Sequence, residues 1–207
     1  MVVLVLAPHT DDGEFGCGGT IARFIDDGHE VHCVAFSAAE KSVDPRFPRD
    51  ILRKEIMDAT AILGMPRTHL EVLSFPVREF PAYRQDILEI MVRLNAQLQP
   101  DLVFLPSTTD THQDHQVVSA EGFRAFKRTS LLGYELSWNN LTFSTNSFVI
   151  LREEHVERKV KALGQYKSQE GRSYATAEYV RNLARVRGVQ IGADYAEAFE
   201  GIRWVVR

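Results

Sequence analysis

Val2-Val3-Leu4-Val5-Leu6-Ala7-Pro8-His9-Thr10-Asp11-Asp12-Gly13-Glu14-Phe15-Gly16-Cys17-Gly18-Gly19-Thr20 is the stretch that decides the fold. Residues 2–6 are apolar without alternation, as in a strand covered on both faces, the usual state of a parallel sheet. Four glycines (Gly13, Gly16, Gly18, Gly19) then read as a turn, and residues 20–27 as a helix closed by Gly28. Residues 29–36 read as a second strand. A strand, a crossover helix and a parallel strand make a unit that is nearly always right-handed.

The same alternation continues outward from this unit. Helical spacing runs over 50–63 and stops at Gly64, and residues 70–75 suit a short strand. A helix over 84–98 ends before Pro100, and a buried strand over 102–105 ends at Pro106. Residues 116–128 read as a helix, 141–151 as a strand, 153–166 and 177–187 as helices, and 202–206 as a last strand. This pattern predicts one α/β domain over 1–207, with helices on both faces of a mostly parallel sheet. Sites in such sheets form outside the carboxyl ends of the strands. Residues 9–19 and 107–115 both fall there.

Composition narrows the function classes. The 207 residues are 44% hydrophobic and 25% charged, as in ordinary globular domains. A net charge of −4 gives no electrostatic footprint for nucleic acid. No stretch approaches the roughly 20 apolar residues of a membrane span. Two cysteines, Cys17 and Cys33, make no disulfide framework and point to a reducing, cytoplasmic setting.

His9 and Asp12 are three apart on one tight turn, so both can face one cation while Asp11 lies beside it. Zinc accepts this mixture of imidazole and carboxylate. A dinucleotide-binding turn is disfavoured, because the segment 16–21 has the first two glycines of that pattern and lacks the third. The second segment is Ser107-Thr108-Thr109-Asp110-Thr111-His112-Gln113-Asp114-His115. Its two histidines can supply a further ligand and a catalytic imidazole, with the aspartate between them holding one ring's tautomer. His29, His32, His69 and His155 have no carboxylate at ligand spacing and read as ordinary surface or core residues. Glu14 reads as a residue of the helix entry, and Trp138 and Asn139 as a loop that could face a sugar ring. Arg78, Arg172 and Arg187 read as solvated charges.

With these residues in view, the chain resembles the LmbE-like or PIG-L deacetylases. His9-Thr10-Asp11-Asp12 is similar to the family's His-Pro-Asp-Asp turn, with threonine in place of proline, and His112-Gln113-Asp114-His115 matches its His-x-Asp-His segment. The glycine-rich helix entry at 16–20, Arg53-x-Glu55 and the Tyr166, Ser168, Gln169 region also look like the family's. The resemblance implies a Rossmann-like three-layer sandwich and a zinc-dependent hydrolase that removes acetyl from an N-acetylated sugar. It implies zinc ligands His9, Asp12 and His115, a general base at Asp11, and His112 as oxyanion stabiliser or proton donor, oriented by Asp114. It implies substrate contact by Arg53 and, as an expectation, self-association into a homo-oligomer. Two departures bear on the substrate. Val77 and Arg78 follow Pro76 where members often carry an aspartate, and Asp110 and Thr111 stand where some place a tyrosine. The competing readings are an amidase acting on another N-acyl or thiol conjugate, and a non-catalytic sugar- or nucleotide-binding module.

Overall fold

The computed structural model describes residues 1–206. Seven strands, β1 (Val2–His9), β2 (Glu30–Ser37), β3 (Leu70–Val72), β4 (Leu102–Pro106), β5 (Ser130–Tyr134), β6 (Ser147–Leu151) and β7 (Tyr195–Arg203), form one sheet. Its order is β3-β2-β1-β4-β5-β7-β6. The first five in this order are mutually parallel, and β7 runs antiparallel to both β5 and β6. Six helices cover it: α1 (Asp12–Asp26), α2 (Ile51–Leu63), α3 (Arg84–Leu98), α4 (Gln113–Ala125), α5 (Glu153–Leu163) and α6 (Ala177–Val189).

Alternate residues of the central strands feed two cores. Val3, Val5 and Ala7 of β1 pack with α1, α2 and α5, while Leu4 and Leu6 pack with α3 and α4. A strand buried on both faces cannot alternate in polarity, which is why residues 2–6 of β1 and 102–105 of β4 read as unbroken apolar runs. The expected α/β sandwich with a mostly parallel sheet is therefore the observed fold.

Several boundaries differ from expectation. The glycine-rich segment is helix rather than turn: α1 begins at Asp12 and kinks at Cys17, whose φ is −144°. The kink turns the amides of Gly19 and Thr20 toward Glu197, whose carboxylate accepts both at 3.0 and 2.7 Å. Lys159 Nζ neutralises that carboxylate at 2.6 Å and also donates to the Phe15 carbonyl at 2.6 Å. Gly16 passes under Tyr134 so closely that a Cβ would lie 2.3 Å from the ring. The glycines thus serve close helix-to-sheet approach. They let α1 start immediately after β1, which places Asp11 and Asp12 beside His9.

β5 has no counterpart in the sequence reading, because it follows α4 after a turn with no glycine or proline to mark it. β6 covers only the last part of 141–151, and β7 starts seven residues earlier than the expected 202–206. The helix expected at 116–128 starts at Gln113, so Asp114 and His115 lie on its first turn.

Candidate metal centre and active site

At the carboxyl ends of β1 and β4, three donor atoms converge. His9 Nδ1 lies 3.1 Å from Asp12 Oδ2, His115 Nε2 lies 3.2 Å from the same oxygen, and the two nitrogens are 3.3 Å apart. Ligands held at roughly 2.0–2.1 Å in a tetrahedron stand about 3.3 Å from each other, so the triangle has the size a zinc ion requires. All three side chains are buried.

The other nitrogen of each imidazole is engaged behind this triangle. His9 Nε2 donates to Asp114 Oδ2 at 2.9 Å, and His115 Nδ1 donates to Asp110 Oδ2 at 2.8 Å. Each neutral ring therefore turns its lone pair toward the triangle, the arrangement by which an outer carboxylate fixes a ligand's tautomer. Two lone pairs and a carboxylate oxygen facing one another need a cation or protons between them. Burial lowers the proton affinity of His9, but hydrogen bonds to Asp114 and Asp12 outweigh it and raise its pKa to about 9. Burial likewise opposes a charge on His115, which the Asp12 carboxylate and Asp110 reverse, to about 10. Burial alone would push Asp12 up; the charge on His115 and the hydrogen bonds from both rings hold it well below the usual carboxylate range. The donor set suits zinc: imidazole nitrogens, one carboxylate, and a face open to the cavity.

His112 stands apart from this triangle, although its ring also brings a nitrogen within 4.8 Å of one on His9 and one on His115. Its Nδ1 accepts from the Asp114 amide at 3.1 Å, so the neutral ring carries its proton on Nε2. Burial, then the positive charges on His115 and His9, pull its pKa below the ordinary value. A neutral hydrogen-bond donor results. The Asp114 carboxylate does not orient His112 as expected; it holds His9, and it also accepts the amides of Arg78 (2.6 Å) and Phe80 (3.2 Å). Arg78 reaches this position with φ of 70°. The Val77-Arg78 departure thus contributes a backbone amide to the site in place of an acidic side chain.

Asp11 lines the same cavity. Burial first, then the negative charge of Asp12, raise its carboxyl to about 6. The turn itself is pinned by Tyr166, whose hydroxyl donates to the Thr10 carbonyl at 2.6 Å. Glu14 is buried with no hydrogen-bond partner for either carboxyl oxygen, and burial drives its pKa to about 8, which keeps it uncharged at neutral pH. The cavity holds about 290 Å³ and is walled by His112, Trp138, Asn139, Arg172 and Tyr174. Trp138 stacks on Tyr174 with centroids 3.9 Å apart, and Phe15 meets both edge-on.

Three expectations need correction. Arg53 does not line this cavity. Its guanidinium bonds Glu40 (3.1 Å), the carbonyls of Val72 (3.0 Å) and Leu73 (3.1 Å), and Ser74 Oγ (2.8 Å), so it clamps the end of β3 to α2. Arg187 is no solvated charge, since it pairs with Glu135. His32 and His155 do have carboxylate partners, Glu30 at 2.8 Å and Asp26 at 3.3 Å. Asp110 is the residue that sequence reasoning missed. Its only signal was its place five residues before His115, which α4 converts into a side-chain contact across the helix start.

Comparison with known proteins agrees with this geometry. The PIG-L family pattern, described as GlcNAc-PI de-N-acetylase, matches residues 4–126, over half of the chain. The uncharacterized deacetylase YaiS of Escherichia coli (strain K12) is 27% identical over 80% of this chain and 90% of its own length. The diacetylchitobiose deacetylase of Thermococcus kodakarensis is 27% identical over 98% of this chain and 82% of its own. The N,N'-diacetylchitobiose deacetylase of Pyrococcus horikoshii, solved with an inhibitor, superposes with a TM-score of 0.79 at 25% identity, over 96% of this chain and 82% of that one. From the strand order, the converging donors and this match, the chain belongs to the PIG-L family.

Proposed function

We propose that this protein is a zinc-dependent deacetylase that hydrolyses the acetamide of an N-acetylglucosamine-type sugar. The observation that carries the reading is the convergence of His9 Nδ1, Asp12 Oδ2 and His115 Nε2 within 3.3 Å, each ring backed by its own carboxylate. The related diacetylchitobiose deacetylases supply the substrate class.

His9, Asp12 and His115 would hold a zinc ion, which when bound would supply a Lewis acid for the acetyl carbonyl and make a water acidic near neutral pH. Asp11, adjacent in sequence to Asp12 and facing the cavity, would take the proton from the water that attacks the amide carbon. His112 donates from Nε2 to the oxygen on which charge develops, a contact worth about 3 kcal/mol per donor when preorganised. The Asp114 amide on Nδ1 keeps the donating nitrogen aimed into the site. Asp11 then returns its proton to the nitrogen of the departing amine, so acetate and the free amino sugar leave with atoms balanced. Trp138, stacked on Tyr174, offers an aromatic face for the sugar ring.

The test measures zinc content and acetate release on the same preparations, with N-acetylglucosamine, N,N'-diacetylchitobiose and N-acetylglucosaminides as substrates. Wild type is expected to release acetate, and His115→Ala to lose activity together with the one zinc held by the His9, Asp12 and His115 triangle. Zinc binding without acetate from any of these sugars would move the reading to an amidase of other N-acyl conjugates.

A further inference from the structure

We propose that Glu30, His32 and His69 form a second metal site, which takes a zinc-class divalent cation and ties the edge strand β3 to β2. The sheet register brings the three residues together. Glu30 and His32 are two apart on β2, so their side chains leave the same face of the strand. Cys33 pairs in parallel with Leu70, which sets His69, the residue before β3, alongside His32. The two imidazoles stack with centroids 4.2 Å apart and planes 20° from parallel. One donor atom from each of the three residues lies within 4.8 Å of the others.

The hydrogen bonding leaves these donors usable. His69 Nδ1 donates to the Val31 carbonyl at 3.2 Å, which fixes the neutral ring with its Nε2 lone pair free. His32 Nε2 and Glu30 Oε1 stand 2.8 Å apart with a proton between them, a separation a cation can take over with small side-chain rotations. Two imidazoles and one carboxylate select zinc and its neighbours over magnesium or calcium, which prefer all-oxygen shells. Glu30 is 53% exposed on its side chain and His32 14%, so one side of the site opens to solvent for water ligands. Another group of this kind among the described residues, Asp26, Glu154 and the buried His155, has its carboxylates already paired with Arg158 and Arg152.

This cluster is separate from the catalytic centre. β1 and β2 pair from Val2 opposite Glu30 to His9 opposite Ser37. Five to seven steps at about 3.3 Å place the two groups roughly 17–23 Å apart, toward opposite ends of the sheet. β3 is three residues long and pairs only with β2. A cation bridging His69 to His32 therefore adds a cross-strand tie at a short edge strand.

The experiment counts bound zinc by competition with a chromophoric chelator and follows the melting temperature as zinc is added. Wild type is expected to bind about two zinc ions per chain, one at each four-coordinate site. His69→Gln should bind one and keep its deacetylase activity. His115→Ala should also bind one, and its melting temperature should still rise with zinc. A single zinc in wild type, uptake by His69→Gln equal to wild type, or no thermal response in His115→Ala would overturn the proposal. Glu30→Gln, a change at an exposed position, repeats the count should His69→Gln fold poorly. None of these counts depends on which substrate the enzyme uses.

Discussion

The two histidine clusters at opposite ends of the sheet use the same residue types and differ in what stands behind them. At the carboxyl end, each imidazole of the candidate metal centre has a buried carboxylate on its far nitrogen, Asp114 for His9 and Asp110 for His115. At the amino end, His69 is held by a main-chain carbonyl, and His32 shares its proton with an exposed glutamate. The first cluster is oriented before any cation arrives. The second becomes a site only when its side chains rotate. Catalysis needs the first kind, because an open coordination position is useful only if the remaining ligands do not move.

The largest expected effect concerns a residue present at one end and absent at the other. The amino-terminal cluster has no counterpart of Asp11. Asp11→Asn keeps the shape of the turn and removes the proton acceptor, so kcat should fall by about 10²–10⁴ with zinc content unchanged. Acetate release and metal analysis on one sample check this. Loss of zinc together with activity would make Asp11 a ligand rather than a base.

The second comparison is by pH. In the metal-free protein His9 and His115 have pKa values raised to about 9 and about 10, so below pH 9 both rings hold protons in the place of the cation. Zinc must displace them, and its apparent affinity should rise with pH, by up to about 100-fold per unit for two displaced protons. The same shifts have a sign for stability. A histidine whose folded pKa lies above 6.5 stabilises the metal-free fold most below that pH, and the contribution is lost as pH rises through 9 to 10. Chelator-treated protein should therefore melt at lower temperature at pH 10 than at pH 7, and the zinc-loaded protein should not follow it. A flat melting curve for the metal-free form would mean that the rings are not protonated there.

Asp110 gives a smaller effect that isolates the carboxylate behind a ligand. Asp110→Asn should weaken zinc binding by about 10–100-fold, the usual cost of losing such a partner. Competition with a calibrated chelator reads the change directly. An unaltered affinity would show that the ring of His115 is held by α4 alone.

Two central strands and the candidate donor segments that follow them are legible in the sequence for one physical reason. β1 and β4 are covered on both faces and so are apolar throughout, and each ends at a chemically conspicuous segment. Residues whose roles depend on register were less visible. Asp110 acts on His115 only because α4 starts at Gln113, three residues earlier than the apolar spacing suggests. Arg53 was misplaced because its position on α2 specifies a direction and not a partner; the end of β3 captures it first. The glycine string read as a turn because glycine disfavours helix, yet close approach to Tyr134 outweighs propensity. Likewise the pairing of His32 with Glu30 and His69 exists only once β2 and β3 lie side by side.

The smallest expected effect probes the cavity wall. Trp138 is 37% exposed, and its ring is backed by Tyr174 at 3.9 Å, so its free face is presented without needing to be ordered by a ligand. It touches neither the donor triangle nor Asp11. Any contribution is therefore binding that is equal in the ground and transition states, which alters KM and leaves kcat alone. Trp138→Ala should raise KM for an N-acetylglucosaminide by about 2–10-fold, corresponding to the ~0.5–1.5 kcal/mol of an aromatic contact. Trp138→Phe should recover most of it, because the stacking face is kept. An equal fall in kcat would instead mean that removing the indole lets Tyr174 and the neighbouring Arg172 shift toward Asp11, and that the wall positions the base rather than the sugar.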